Sequence, residues 1–221
     1  MSLTRRQWKI IAGIAAVAVL ATVVVLMTAG APDDDAAPGN LVLATVNGEE
    51  ITAGEVARIQ QRMLRWDNIV VEEEEVLEQL IVERVLYQEA KREGYEPTLE
   101  ETEWEVRMAM TDTGMQVEEL YARLAEEGLP YLEYLEERRV QLAIVMFVDD
   151  AVEVPEVTEE EVTEFYEYYK EYYGQLFPGE EPPPFEEMRD TVISVLEEQR
   201  QEEAVSLFVA QLRKQADIQY M

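Results

Sequence analysis

The chain contains no cysteine and no histidine among its 221 residues. Without cysteine it can form no disulfide, no thiolate metal site, no thiol nucleophile and no lipidated N-terminal cysteine. Without histidine it lacks the most frequent general base and the most frequent transition-metal ligand of proteins. Serine is scarce too, since only Ser2, Ser194 and Ser206 occur. Enzyme chemistry would therefore have to depend on carboxylates, tyrosine, lysine or arginine.

Basic residues are also few. Residues 32–221 contain 48 acidic and 15 basic side chains, a net charge of −33. A surface of that sign repels nucleic acid and anionic lipid headgroups, so we expect no nucleic-acid partner. The acidic runs Glu72–Glu75 and Glu159–Glu161 could attract divalent cations, but they lack the spaced oxygen ligands of a dedicated loop. We expect neither a metal ion nor a cofactor, and no catalytic residue.

Near the N-terminus, Ile10–Ala31 forms a run of 22 residues without a charge. As a helix the run would be about 33 Å long, which matches a bilayer hydrocarbon core of about 30 Å. Basic side chains precede it and acidic side chains follow it. The positive-inside rule then predicts residues 1–31 as a cytoplasmic stub and single-pass membrane anchor, with the rest of the chain extracytoplasmic.

Two alternatives remain open at this end. Ala29-Gly30-Ala31 resembles a signal-peptide cleavage site, although Pro32 directly after it disfavours cutting. The residues Thr4–Lys9 (TRRQWK) resemble a twin-arginine export signal, although they also serve as an ordinary positive flank. Residues 32–40 (PDDDAAPGN) are predicted to be an acidic tether rich in proline and glycine, and residues 41–221 to be the folded domain.

The folded part begins and ends with strand-like sequence. Leu41–Thr52 (LVLATVNGEEIT) alternates apolar residues around an Asn47-Gly48 turn, and Gln215–Tyr220 (QADIQY) follows a long helical stretch. A lone terminal strand cannot satisfy its backbone groups, so we expect the last strand to pair with the first. The sequence therefore predicts a mainly α-helical fold whose ends meet in a small sheet.

Seven helices are predicted between these strands from caps, glycine stops and apolar periodicity. In the fifth, Leu132, Leu135, Leu142, Val145 and Met146 are expected to face inward. The segment 174–184 (GQLFPGEEPPP) is expected to break the helical run. The pairs Thr52 with Glu55, Thr98 with Glu101 and Thr158 with Glu161 are predicted capping boxes that open the first, third and sixth helices. The first helix runs to about residue 66, the second over about 73–92, the third carries Trp104, Met108 and Met110, and the fourth runs over about 117–127. The fifth starts at Pro130 and ends before Pro155, the sixth runs through residue 173, and the seventh covers 185–214.

The order of these segments resembles the chaperone core of the SurA, PrsA and PpiD group over about residues 41–220. The resemblance is carried by ATVNGEEIT, VLEQLIVERVLYQEAKREGYEPTLEE, LAEEGLPYLEYLEERRVQL, VTEEEVTEFYEYYKEYY and the final helix with LRKQADIQY. It implies a helical cradle that binds unfolded or partly folded exported proteins.

Many members of that group insert a parvulin prolyl isomerase domain between the last two helical segments. Here the corresponding segment, 174–184, is too short for a domain, and the parvulin Arg-His-Ile-Leu motif cannot occur without histidine. We therefore expect no isomerase activity.

Exposed aromatic and methionine side chains are the best candidates for client contact, because they adapt to many sequences. Trp104, Met108, Met115, Tyr168 and Tyr172 are predicted to form this surface. Packing inside the domain is the alternative for the methionines and for most rings of the aromatic run 165–177. The leading hypothesis is a membrane-anchored, extracytoplasmic, ATP-independent holdase for secreted or envelope proteins. The alternative is a non-catalytic scaffold that uses the same fold to bind one partner in an envelope complex.

Overall fold

The computed structural model describes residues 38–66 and 68–221. The predicted membrane segment Ile10–Ala31 lies outside them, and no helix within them is long and apolar enough to span a bilayer. After a 3-10 turn at Pro38–Asn40, the elements in chain order are β1 Val42–Val46, β2 Glu49–Thr52, α1 Ala53–Trp66, α2 Glu73–Arg92, α3 Leu99–Thr113, α4 Val117–Glu127, α5 Tyr131–Ala151, α6 Glu159–Leu176, α7 Phe185–Gln215 and β3 Ile218–Tyr220.

The three strands form one antiparallel sheet in the order β2-β1-β3. The β1–β2 turn places Asn47 at φ 51° and Gly48 at φ 84°. Two central residues with positive φ are typical of the type I′ turn that suits a tight hairpin. On the other side of β1, Val46 lies opposite Ile218 and Ala44 opposite Tyr220. The predicted pairing of the chain's two ends is confirmed.

Asn47 forms hydrogen bonds that join the N-terminal hairpin to the C-terminal end of the fold. Its backbone N–H donates to the carbonyl oxygen of Asp217 over 2.8 Å, and its side-chain oxygen accepts from the Asp217 N–H over 2.8 Å. Its side-chain amide nitrogen also donates to Gln88 Oε1 on α2 over 2.7 Å. The turn residue thus joins the first hairpin, the last strand and the longest helix of the N-terminal half.

Three helices begin with the capping boxes that the sequence predicts. In each, a threonine hydroxyl accepts a hydrogen bond from the backbone three residues on, and the glutamate there accepts one from the threonine N–H. The pairs are Thr52 with Glu55, Thr98 with Glu101, and Thr158 with Glu161. These reciprocal bonds satisfy N–H groups that have no partner inside the helix.

The main core lies between the sheet, α1, α2 and the C-terminal halves of α5 and α7. A second, smaller cluster lies between α3, α4 and the N-terminal half of α5. Representative residues of the main core are Val46, Ile51, Ile59, Leu80, Ile81, Phe147, Val148, Val205 and Leu212. The two longest helices of the C-terminal half therefore each leave the main core along their N-terminal half.

The predicted inward face of α5 was partly wrong. Leu135 is buried, but Leu132 and Met146 are exposed, and the buried residues near the C-terminal end are Ala143, Ile144, Phe147 and Val148. The inward face changes because the two halves of α5 pack against different partners. A single apolar stripe cannot describe such a helix.

Helix α6 continues past its predicted end. Gly174 lies inside the helix, which ends at Leu176, and the break before α7 is shortened to residues 177–184. A glycine inside a helix costs about 1 kcal/mol relative to alanine and does not by itself end the helix.

A partly buried ion-pair group fixes α2 against the start of the fold. Arg84 is 8% exposed, and its two Nη atoms each lie 3.1 Å from a carboxylate, one on Glu49 of β2 and one on Glu55 of α1. Glu55 is also the capping glutamate of α1. One guanidinium thus connects a strand, a helix cap and the central helix.

Replacement of Arg84 by methionine should lower the free energy of unfolding by about 2 kcal/mol, because the partly buried Glu55 carboxylate then loses its cation. Arg92→Met, on the same helix but at an exposed ion pair with Glu89, should change it by less than about 0.5 kcal/mol. Urea unfolding followed by circular dichroism measures both variants. Equal losses would show that the Arg84 group has no special role.

Candidate functional site

The α3–α4 pair and the N-terminal half of α5 form a lobe beside the main core. Val106, Leu120, Leu124, Leu129 and Leu135 bury their side chains in its centre. Met110, Met115, Tyr131 and Tyr134 pack around that centre and remain partly exposed. The lobe thus has a leucine core with a methionine and tyrosine margin.

Two predicted contact residues lie on the outer side of α3. Thr102 and Val106 are buried, whereas Trp104 and Met108, four residues apart, lie on the opposite side of the helix. Trp104 is 42% exposed and Met108 is half-buried. Met115, the third predicted residue of this region, is half-buried against the leucine cluster. Trp104 therefore offers the larger free surface.

The N-terminal half of α7 and helix α6 form an arm, which comprises residues 159–200 with the connecting segment. Tyr166 is buried at its centre, its ring 5.1 Å from that of Phe185, and its hydroxyl donates to the carbonyl oxygen of Pro183 over 2.7 Å. At the base of the arm, Arg200 donates to the carbonyl oxygens of Pro155 and Glu156 and to Glu161. These bonds fix the α5–α6 connection to α7.

The other two predicted residues lie on the solvent side of the arm. Tyr168 is 67% exposed and Tyr172 50% exposed. Leu176, four residues after Tyr172, is 54% exposed and extends the same line. We call Tyr168, Tyr172 and Leu176 the α6 stripe. Leu176 was not predicted as a contact residue, because the helix was expected to end before Gly174. The spacing of four residues from Tyr172 to Leu176 could have indicated that both lie on one side of the helix.

The predicted contact residues do not form one patch. Trp104 and Met108 belong to α3, which packs against α5, whereas Tyr168 and Tyr172 belong to α6, which packs against α7. Further exposed side chains extend both surfaces: Tyr121 and Leu132 on the lobe, and Phe177 at the end of the arm. A bound chain would have to contact two separate apolar surfaces.

Residues 40–148 match the protein family described as the SurA N-terminal domain. This part of the chain, about half of its length, is therefore similar to the SurA N-terminal domain. Over 120 residues it is 32% identical to the Chaperone SurA of Ralstonia nicotianae, an alignment that covers 51% of this chain and 24% of that protein. The chain thus spans about a quarter of the length of this relative.

A solved structure shares the fold of this chain. It comes from work on the virulence factor PEB4 and the periplasmic protein Cj1289, described as two structurally related SurA-like chaperones of Campylobacter jejuni. The TM-score is 0.59 at 11% identity, and the match covers 82% of this chain and 99% of that one. The shared fold therefore extends beyond the residues that the SurA N-terminal family matches.

A polar contact connects the lobe to the main core. Arg62 on α1 and Glu127 at the end of α4 form an ion pair, Nε to Oε2, over 3.7 Å. Close to them, Glu137 on α5 is 3% exposed, and within the described residues its two carboxylate oxygens have no hydrogen-bond partner. Burial raises the pKa of Glu137 to about 9, and the charges of Arg62 and Arg138 oppose the shift. The carboxyl is therefore neutral at pH 7.

A glutamate with a raised pKa in the folded state makes stability fall as pH rises. The unfolded chain loses the proton near the ordinary pKa of 4.5, whereas the folded chain keeps it up to about 9. In that window Glu137 lowers the free energy of unfolding by up to about 1.4 kcal/mol for each pH unit.

Glu137→Gln should therefore stabilise the protein, and its advantage over the wild type should widen between pH 5 and pH 8. Glu126→Gln, at an exposed position on α4, serves as the control and should show no widening. Thermal unfolding across this pH range measures the difference. A constant difference for Glu137→Gln would mean that the buried carboxyl is ionised in the folded protein.

One groove lies between the C-terminal end of α7 and β3. It is shallow and open to solvent, and it is lined by Ala210, Arg213, Lys214, Ile218 and Tyr220. There the Tyr220 hydroxyl donates to Glu78 Oε1 over 2.6 Å, and this bond raises the pKa of Tyr220. Within the described residues no cluster of three or more acidic side chains is arranged to hold a metal ion. The apolar surfaces of the lobe and the arm are the better candidates for function.

Proposed function

We propose that this protein is an ATP-independent holdase that binds unfolded or partly folded exported proteins. The observation that carries the proposal is the exposure of large aromatic and aliphatic side chains on two surfaces of a fold shared with SurA-like chaperones. Such surfaces on a soluble domain mark interaction sites. The proposal includes no prolyl isomerase activity, since the chain contains no histidine and has only residues 177–184 between α6 and α7.

Each exposed side chain of such a surface contributes little binding free energy, and the contributions of several side chains add up. A large exposed side chain contributes on the order of 1 kcal/mol to client binding. Two surfaces on separate helix pairs would let one extended client touch both, which raises the apparent affinity without a deep groove. The −33 charge of residues 32–221 supplies the solubility that exposed aromatic side chains would otherwise reduce.

The full-length protein, reconstituted in nanodiscs of zwitterionic lipid, should slow the aggregation of a chemically denatured reporter enzyme without nucleotide. Changing Trp104, Met108, Tyr168 and Tyr172 to serine should weaken this effect by at least about tenfold in effective concentration, because several contacts are lost together. Light scattering follows the aggregation, and circular dichroism confirms that the helices remain.

A matched control changes Leu41 and Val70, which are exposed apolar residues outside both surfaces, to serine. This control should retain full activity. If the wild-type protein has no effect at severalfold excess, the alternative becomes the better reading, and the fold serves as a scaffold for one envelope partner. If the fourfold variant stays fully active, clients bind elsewhere.

The proposed location is the cell membrane, with the N-terminus cytoplasmic and the chaperone domain outside. The support is the uncharged run Ile10–Ala31 between basic and acidic flanks. The acidic tether that follows the run would keep the domain close to the membrane, where exported chains emerge.

Protease added to intact spheroplasts should degrade the domain after residue 33, because that part of the chain is outside the cell. A cytoplasmic marker protein in the same sample should stay intact. Immunoblotting against the C-terminal helix gives the result, and the domain should sediment with membranes before digestion. Full protection, or release of a soluble form that begins near Asp33, would contradict the anchored topology.

A further inference from the structure

The apolar α6 stripe lies next to carboxylates that have no partner. Glu164 is four residues before Tyr168, and Glu171 is three residues after it, so both lie beside the stripe on the helix surface. Within residues 38–66 and 68–221, neither carboxylate forms a hydrogen bond or an ion pair with a basic side chain. The stripe therefore combines exposed rings with unneutralised negative charge.

At two places within this protein, a carboxylate and a tyrosine ring together already bind a lysine side chain. Lys170 Nζ lies 2.7 Å from Glu167 Oε2 and 5.5 Å from the centre of the Tyr166 ring. Lys91 Nζ likewise lies 3.5 Å from Glu96 Oε1 and 5.9 Å from the Tyr87 ring. Tyrosine rings attract cations through their electron-rich faces, and a carboxylate adds direct charge attraction.

The arm holds no free cation for an acidic ligand. Residues 159–200 contain 13 acidic side chains and three basic ones. Each base is already bound to a carboxylate of the arm: Lys170 to Glu167, Arg189 to Glu159, and Arg200 to Glu161. Two copies of the arm would repel each other, as would the arm and an anionic membrane. Charge complementarity selects a basic partner.

We propose that the α6 stripe binds extended client segments that carry lysine or arginine and large apolar residues on the same face. The apolar side chains lie on Tyr168, Tyr172 and Leu176, and the cationic side chains bind Glu164 and Glu171 beside the exposed rings. This inference rests on the proposed holdase function and names its preferred client class.

The probe is a fluorescein-labelled peptide that repeats Phe-Phe-Lys-Lys, which in an extended chain places both residue types on each face. It is compared with a peptide of the same length that has glutamine in place of lysine. Anisotropy titration against the full-length protein in zwitterionic nanodiscs gives the affinities, with empty nanodiscs as background. The lysine peptide should bind about tenfold more tightly, since two lysines each gain a carboxylate partner and an adjacent ring. Added salt should remove most of the difference.

The decisive variant is Glu164→Gln with Glu171→Gln, which keeps the shape of the stripe and removes its charge. It should weaken binding of the lysine peptide to the level of the glutamine peptide and leave the glutamine peptide unchanged. Glu198→Gln with Glu203→Gln removes the same charge from exposed positions on α7 and should change neither affinity by more than about twofold. Tyr168→Ser with Tyr172→Ser should weaken binding of both peptides.

Equal binding of the two peptides to the wild-type protein would overturn the inference, as would equal losses in the two charge variants. The same preparations are tested for suppression of reporter aggregation. Suppression without a preference for lysine refutes this inference alone and leaves the holdase function intact. A preference for lysine without suppression refutes the holdase function and retains the stripe as a cation-selective peptide site.

Discussion

The pairing of β1 with β3 is the constraint on which the rest of the structure depends. It joins Val42–Val46 to Ile218–Tyr220, so everything between them must leave the sheet and return to it. Asn47 secures the closure, because it exchanges two hydrogen bonds with Asp217 and donates a third to Gln88. Closing so long a loop is entropically costly, and the cost is offset where the C-terminal half of α7 adds Val205, Val209 and Leu212 to the core.

Because α7 must end at the sheet, its N-terminal half extends away from the core and carries α6 with it. Helix α5 has the same double role, with Leu135 in the lobe and Phe147 in the main core. Helices α5 and α7 thus contribute one half to the main core, and their other halves support α3 and α6, which carry the exposed apolar surfaces. Substitutions at Trp104 or Tyr168 can therefore change binding without removing the contacts that keep the protein folded.

The sequence predicts most helix boundaries well, because they depend on local chemistry. Thr98 with Glu101 and Thr158 with Glu161 satisfy backbone groups within a single turn, and the structure places them as expected. It predicts the contact surfaces less well, because exposure depends on distant partners. Met146 has the spacing of a core residue but lies outside, and Leu176 was missed because Gly174 does not end the helix. Nor does residue spacing show that the carboxyl group of Glu137 on α5 is buried.

The strong negative charge keeps the protein soluble although aromatic side chains are exposed. Apolar surfaces that accept many sequences would also accept one another, and charge repulsion between copies prevents this without covering them. Under the proposed function, the same repulsion would restrict which clients bind, since an acidic chain would have to overcome it while a basic chain would be attracted. On α6, Glu164 and Glu171 lie beside Tyr168 itself, so the proposed selectivity would come from side chains that also contribute to the charge of the surface. Removing those charges would weaken the repulsion between copies of the protein. The exposed apolar surfaces would then bind one another as well as any client.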